Sequence, residues 1–390
     1  MKDPTAGSAT SAAGSTRLGN RSMEAPRVTA SRSRAALRIV ASNLAVLLVG
    51  IIVIELIMGH WFDVRPGLAM LRIPRNVEHG FDASAIYPGG AGKIYRRDRY
   101  GLRGAYDDPS RIDILAIGGS TTNEAFVGEG ETWTDVLAAR FHQEGRPMRV
   151  VNAGVDGQST VGHLRNFDVW FPEIPGLRPR YVLAYVGIND IHLPDQGRPT
   201  ERYDGLEVSS RRERLLRQIR ERSAFYELYR VIAGTLRARS ARLVYDRIPW
   251  DSAAWSERPL PASAAEPQGI HAQLRDDYGR RLGVLIARVR KLGAEAIVVT
   301  QKRAGYRRLG SHLLLAHGPG FGPSFEMYVL QTAFNARAMQ VCRAYGAICI
   351  DLGSDLEFEP GDFFDYLHTT PAGSRRIGDF LHARLKEVVR

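Results

Sequence analysis

The stretch "ILAIGGSTTNEAF", residues 114–126, decides how the rest of the chain is read. Ile114, Leu115, Ala116 and Ile117 form a short apolar run, as expected of a buried strand. Two glycines and three hydroxyl residues follow: Gly118, Gly119, Ser120, Thr121 and Thr122. A tight strand-to-helix turn would account for such a sequence. A nucleophilic serine held at the end of a strand would account for it more sharply.

From residue 111 onward, apolar strand-like runs alternate with helical stretches. A strand at 112–117 is followed by a helix from Trp133 to Glu144. "MRVVNAG" ends at Gly154, and a helix begins near Thr160. "YVLAYVG" covers Tyr181 to Gly187. Leu282, Leu285, Ile286 and Val289 recur at helical spacing, which predicts a helix over 273–293. "AEAIVVTQ" is the next strand, then a helix over Phe325–Tyr345, the strand "GAICIDL" and a closing helix over 372–389. Strands alternating with helices predict a parallel sheet covered on both faces. A long interruption lies at about 191–265. There Leu215, Leu216, Ile219, Leu228, Ile232 and Leu236 form an apolar stripe among arginines, which predicts a helical cap. A solvated cap helix and a basic face toward anionic lipid or polysaccharide are both open readings.

In a doubly wound sheet, ligands bind beyond the carboxyl ends of the strands. Ser120 follows the first strand. "NAGVDGQS", with Gly157, follows the second, and "GIND", with Asn189 and Asp190, follows the third. "DYLHTTPAG", with Asp365 and His368, lies beyond the last. These residue types fit one reaction. A serine hydroxyl needs a base to take its proton, and His368 is the candidate. Asp365, three residues earlier, would hold the imidazole in the right tautomer. The backbone N–H groups of Ser120 and Gly157 and the side-chain amide of Asn189 are candidates to meet the developing oxyanion. Each piece alone also has a plain structural reading as a turn or a helix cap. Their order at successive strand ends makes the set specific. His163 and His192 also lie near strand ends and are read as surface or core histidines. No spacing of His, Asp and Glu suggests a metal site, and no cofactor is called for.

With these residues in place, the chain resembles the SGNH (GDSL-type) hydrolase superfamily. Ser120 matches the first block, Gly157 the second, Asn189 the third, and Asp365 with His368 the last. The resemblance implies a flavodoxin-like three-layer α/β/α fold and metal-free ester hydrolysis or acyl transfer through an acyl-serine. Gly119 departs from the family's best-known block, which has aspartate there. "RYGLRG" at 99–104 and Thr132–Trp133 make the chain similar to membrane-anchored bacterial members, some of which modify cell-envelope glycans or lipids.

Composition sets the remaining bounds. The chain has 390 residues and a formal charge of +11, carried mostly by arginine. That favours anionic surroundings, but no nucleic-acid-binding motif is present. "LRIVASNLAVLLVGIIVIELIMGHW", residues 37–61, has no charge between Leu44 and Ile54 and reads as one transmembrane helix. Residues 1–36 lack large apolar side chains and read as a disordered cytoplasmic tail. Arginine bias favours a cytoplasmic N-terminus, so a catalytic domain at 111–390, after an irregular juxtamembrane segment at 62–110, would lie outside the cytoplasm. Cys342 and Cys349 would then meet an oxidising compartment, with the first ending a helix and the second in the next strand. A disulfide and a buried free thiol are both compatible with that placement.

The expected activity is a membrane-anchored extracytoplasmic serine esterase or deacetylase acting on acylated glycans or lipids of the envelope. An O-acetyltransferase using the same triad is one alternative. A catalytically silent glycan-binding module is another.

Overall fold

The computed structural model describes residues 29–59, 61–62, 73–193, 211–226, 228–229, 232–233, 247–260 and 268–389. The chain divides into two units, Met1–Gly59 and His60–Arg390. In the first, helix α1 spans Thr29–Met58. Its apolar part, Ala35–Met58, has 24 residues and a mean hydropathy of 2.5. At 1.5 Å per residue it is about 36 Å long, enough to cross a bilayer's hydrocarbon core. Leu44 and Val46, on opposite sides of the helix, are both exposed. The helix starts inside the segment expected to be disordered. Residues 30–38 hold neither Gly nor Pro and are rich in Ala and Arg, so nothing stops the apolar helix from extending backward. The remainder of the expected tail, residues 1–28, lies outside the described residues.

In the second unit, strands β1 (Val77–Phe81) and β2 (Lys93–Arg97) form an antiparallel hairpin within the segment expected to be irregular. The central sheet is built from β3 (Ile114–Gly118), β4 (Val150–Gly154), β5 (Tyr181–Tyr185), β7 (Glu295–Val299) and β10 (Ile348–Ile350), in the order β10-β7-β5-β3-β4. Every pairing in it is parallel. All residues of β3, β4 and β5 are buried, because helices cover both faces. Alternate side chains along each strand enter opposite cores. Leu115, Ile117, Val182 and Val298 pack with α4 (Thr160–Val169), α6 (Ile270–Lys291) and α7 (Phe325–Ala344). Ile114, Ala116, Leu183 and Ile297 pack with α3 (Trp133–Gln143) and α9 (Pro371–Leu385). The flavodoxin-like three-layer α/β/α architecture is therefore present.

The 191–265 interruption is not wholly helical. Helix α5 covers Arg211–Arg222, and Leu215, Leu216 and Ile219 on its apolar stripe are exposed. Strand β6 (Ala254–Pro259) pairs with β9 (His312–His317), which pairs with β8 (Tyr306–Leu309), in a second antiparallel sheet. "AWSERP" is exposed along its whole length, so it carries no buried alternation that would mark it as a strand. Cys342 on α7 and Cys349 in β10 form a disulfide, with Cα atoms 5.9 Å apart.

Candidate active site

The two glycines of the opening stretch are required by close approach. A Cβ on Gly118 would sit 2.0 Å from Thr122 Oγ1 and 2.6 Å from the Tyr185 carbonyl oxygen. A Cβ on Gly119 would sit 2.4 Å from Asn189 Nδ2. The strand can therefore turn sharply, and Ser120 opens the short helix α2 (Ser120–Asn123) at the carboxyl end of β3.

Across from it, the 363–369 segment is a tight loop. The Phe364 N–H donates to the His368 carbonyl at 3.1 Å. Asp365 Oδ1 accepts from the backbone N–H groups of Leu367 and His368, both at 2.7 Å. Its other oxygen, Oδ2, lies 2.6 Å from His368 Nδ1. This is why the two residues stand three apart: one carboxylate oxygen holds the turn and the other holds the ring. A carboxylate only accepts, so it assigns the imidazole proton to Nδ1. Nε2 is then the acceptor, and Ser120 Oγ lies 2.8 Å from it. The Phe364 ring stacks on the imidazole with centroids 5.7 Å apart.

The other sequence-nominated residues converge on the same turn. Asn189 Nδ2 donates to the Gln158 carbonyl at 2.9 Å, which leaves its second N–H for another acceptor. Gly157, next to Gln158, has φ +74°, a conformation that favours glycine. Asp190 is buried and holds its own loop. It accepts from the Thr160 N–H at 3.1 Å and pairs with Arg281 at 2.9 Å, tying the "GIND" loop to α4 and α6. His163 is fully buried, and burial pushes it down to about 3, so it is a neutral core side chain. Burial and the nearby Arg303 charge lower His192 as well.

Sequence reading did not nominate the braces around this turn. Arg103, from "RYGLRG", is buried and donates to the carbonyls of Asn123, Glu124 and Val127. Arg97 is buried too, and donates to Asn123 Oδ1 at 2.6 Å and to the Gly154 carbonyl. Gln301 donates to Thr121 Oγ1 at 2.7 Å and accepts from the Ile188 N–H at 2.8 Å, so one amide joins the serine turn to the "GIND" loop.

Glu124 joins the serine turn to the histidine segment. It is buried and sits at φ +51°. Its carboxylate accepts from the Trp133 N–H at 2.8 Å, from Thr369 Oγ1 at 2.9 Å, and from Ser374 Oγ. Burial pushes its carboxyl up to about 7, opposed by these three donors and by the Arg103 charge. Between its ordinary value of 4.5 and about 7, the folded chain keeps a proton that the unfolded chain has lost. Its stabilising contribution is therefore full below pH 4.5 and falls as pH rises through 7. Glu124→Gln is expected to remove that decline, seen as a difference in Tm between parent and variant that changes across pH 5 to 8. A constant difference across that range would assign the decline to other groups. A cavity of about 10 Å³ lies beside the serine, walled by Ser120, Glu124, Phe126, Phe364 and His368.

A hydroxyl, an imidazole and a carboxylate in relay at the carboxyl end of a parallel sheet define a serine ester hydrolase. The model of the GDSL-like lipase/acylhydrolase family matches residues 116–268 of the chain. No curated protein matches the chain. Solved structures similar to it include LAE5, an alpha/beta hydrolase enzyme from the metagenome of Lake Arreo, Spain. It shares 15% identity over 70% of this chain and 95% of its own, with a TM-score of 0.39. A catalytic mutant of Axe2, an acetylxylan esterase from Geobacillus stearothermophilus, shares 12% identity over 70% of this chain and 94% of its own, with a TM-score of 0.39. A member of the lipolytic protein G-D-S-L family from Veillonella parvula shares 14% identity over 71% of this chain and 97% of its own, with a TM-score of 0.38.

Proposed function

We propose that the chain is a membrane-anchored, extracytoplasmic serine esterase that removes small acyl groups, acetyl above all, from glycans or lipids of the cell envelope. The observation that carries this reading is the relay in which Ser120 Oγ lies 2.8 Å from His368 Nε2 and His368 Nδ1 lies 2.6 Å from Asp365 Oδ2. His368 Nε2 takes the hydroxyl proton as Oγ bonds to the acyl carbon. The carbonyl π electrons move to oxygen, where the free N–H of Asn189 and the backbone N–H groups of Ser120 and Gly157 receive the charge. As the tetrahedral intermediate collapses, the bond to the leaving alkoxide breaks and His368 returns the proton to it. Water, activated by the same imidazole, then releases the acid and restores Ser120.

Three features support the finer points. The cavity beside Ser120 is small, about 10 Å³, and gives room for a short acyl group such as acetyl. The α1 helix is long and apolar enough for an anchor. A disulfide between Cys342 and Cys349 fits an oxidising compartment.

The test is the intact mass of the full-length chain in detergent, quenched in acid during turnover with envelope extract. An acetyl increment mapped to Ser120 is expected. A long-chain acyl increment there overturns the size assignment, and acylation at another residue overturns the site. A reporter fused after Arg390 should be active only if it functions outside the cytoplasm.

A further inference from the structure

Beyond the carboxyl end of β7, the chain places a buried cation that the relay does not use. Arg303 is only 8% exposed. Its Nη2 lies 2.8 Å from His192 Nε2, and its Nε donates to Gln331 Oε1 at 3.3 Å; both partners are neutral acceptors. Among the described residues it forms no ion pair. Burial pushes its pKa down to about 10, while the Asp365 carboxylate acts in the opposite direction. A charge withdrawn from water with no carboxylate in direct contact is costly unless something completes it.

Arg303 lines a cavity of about 150 Å³ with Gln301, Tyr306, Tyr328, Gln331 and Asn335. Two acids also face that space, but both are engaged. Asp351 accepts from Thr300 Oγ1 at 2.6 Å, and Glu357 pairs with Lys302 at 3.0 Å. The cavity adjoins the serine turn through one side chain, because Gln301 lines it and also donates to Thr121 Oγ1. A second, smaller cavity shares Lys302, Arg303 and Tyr306 as a wall and is lined by Arg307, which stands over the exposed Trp255 ring at 4.7 Å.

We propose that the larger cavity is an anion subsite for an acidic glycan. Arg303 receives a carboxylate or phosphate on a sugar next to the one whose ester meets Ser120. The proposal rests on the esterase reading for the identity of that ester, but its binding chemistry stands apart from turnover. The amides of Gln331 and Asn335 and the Tyr306 and Tyr328 rings suit sugar hydroxyls and sugar faces. They do not form an apolar wall of the kind an acyl tail would need. The guanidinium offers an anion paired donors, and the low-dielectric site strengthens the bond.

The test uses full-length Ser120→Ala chain in detergent, so that binding is read without turnover. The probes are oligogalacturonate as the acidic glycan, xylo-oligosaccharide as the neutral one, and phosphatidylglycerol vesicles as the lipid. Titration calorimetry is expected to show oligogalacturonate binding that weakens with added salt, and no xylo-oligosaccharide binding at equal concentration. Adding Arg303→Gln should weaken oligogalacturonate binding at least about tenfold, the size of a charged hydrogen bond. Equal binding of both oligosaccharides, or no binding of either, overturns the subsite. Undiminished binding by a folded Arg303→Gln chain overturns the role of Arg303. Arg303-dependent binding of the vesicles alone transfers the site to lipid. If Arg303→Gln fails to fold, the salt dependence and neutral-sugar comparison on the Arg303 chain decide. Acetyl-ester turnover by the parent tests the esterase reading separately, since a chain that binds the acid but never turns over keeps the subsite and loses the enzyme.

Discussion

Ser120→Ala is expected to abolish measurable turnover of an acetyl ester and leave the fold intact. Ser120 begins a four-residue helix, and its hydroxyl has one side-chain partner, His368 Nε2 at 2.8 Å. Losing a half-exposed hydroxyl at that position removes no core packing, so Tm should move little. The chemistry depends on it, because it is the hydroxyl that lies against His368 Nε2. What remains would be the modest acceleration that oxyanion donors and binding supply without a nucleophile. His368→Ala should fall to the same level, since a hydroxyl without its base is inert near neutral pH. The double variant should lose no more than either single one, because the two act as a unit. The measurement is kcat for the three variants beside their thermal unfolding. If Ser120→Ala turns over as fast as the parent, the relay has no catalytic role. If activity falls only in step with lost folded protein, "GGSTT" is a structural turn and nothing more.

The parts of this site that were legible in the sequence are those whose spacing is local. Asp365 and His368 could be paired on the page because one loop holds both. Ser120 could be placed because an apolar strand ended in glycines. The central sheet was legible for a similar reason: strands buried on both faces are continuous apolar runs, as in "ILAIG" and "YVLAY".

What escaped was long-range or exposed. Glu124 looks like an ordinary surface acid after a turn. Only the fold brings Thr369 and Ser374 to it across some 245 residues of chain. Arg103 was seen as part of a motif, yet its burial depends on carbonyls from the 123–127 loop that no local pattern announces. The β6 strand was hidden because its side chains are exposed on both faces, which erases the period of two. One fragment of signal was available. "GGSTT" followed by "TW" places Trp133 at the start of α3, where its backbone N–H reaches Glu124 Oε2 and its indole N–H reaches the Thr121 carbonyl at 3.1 Å. The same glycine that departs from the family's aspartate also acquires a reason. At residue 119 any Cβ meets Asn189 Nδ2 at 2.4 Å, so in this backbone the amide and a side chain compete for one volume.

Asp365→Asn is expected to lower kcat by up to about 10⁴-fold, by analogy with loss of the orienting carboxylate in serine proteases. That is about 5.5 kcal/mol of transition-state stabilisation. The geometry says why an isosteric change should cost so much. Oδ1 accepts from two backbone N–H groups at 2.7 Å, so an asparagine must keep its single carbonyl oxygen there. Its NH₂ then replaces Oδ2 and faces His368 Nδ1 at 2.6 Å. A donor in that position forces Nδ1 to accept, and the imidazole proton moves to Nε2. Nε2 then meets Ser120 Oγ with a proton already in place and cannot take another. The loop keeps its hydrogen bonds, so Tm should stay near that of the parent while kcat collapses. Asp365→Ala supplies the contrast. It frees the Leu367 and His368 N–H groups and should lower Tm as well, but it puts no donor against Nδ1 and leaves the tautomer free to choose. The asparagine variant should therefore be no faster than the alanine variant, despite its closer shape. Measuring kcat and Tm for both separates holding the loop from setting the proton. An asparagine variant within tenfold of the parent would mean that the carboxylate does not govern the tautomer, and that His368 takes its proton from Ser120 without that help.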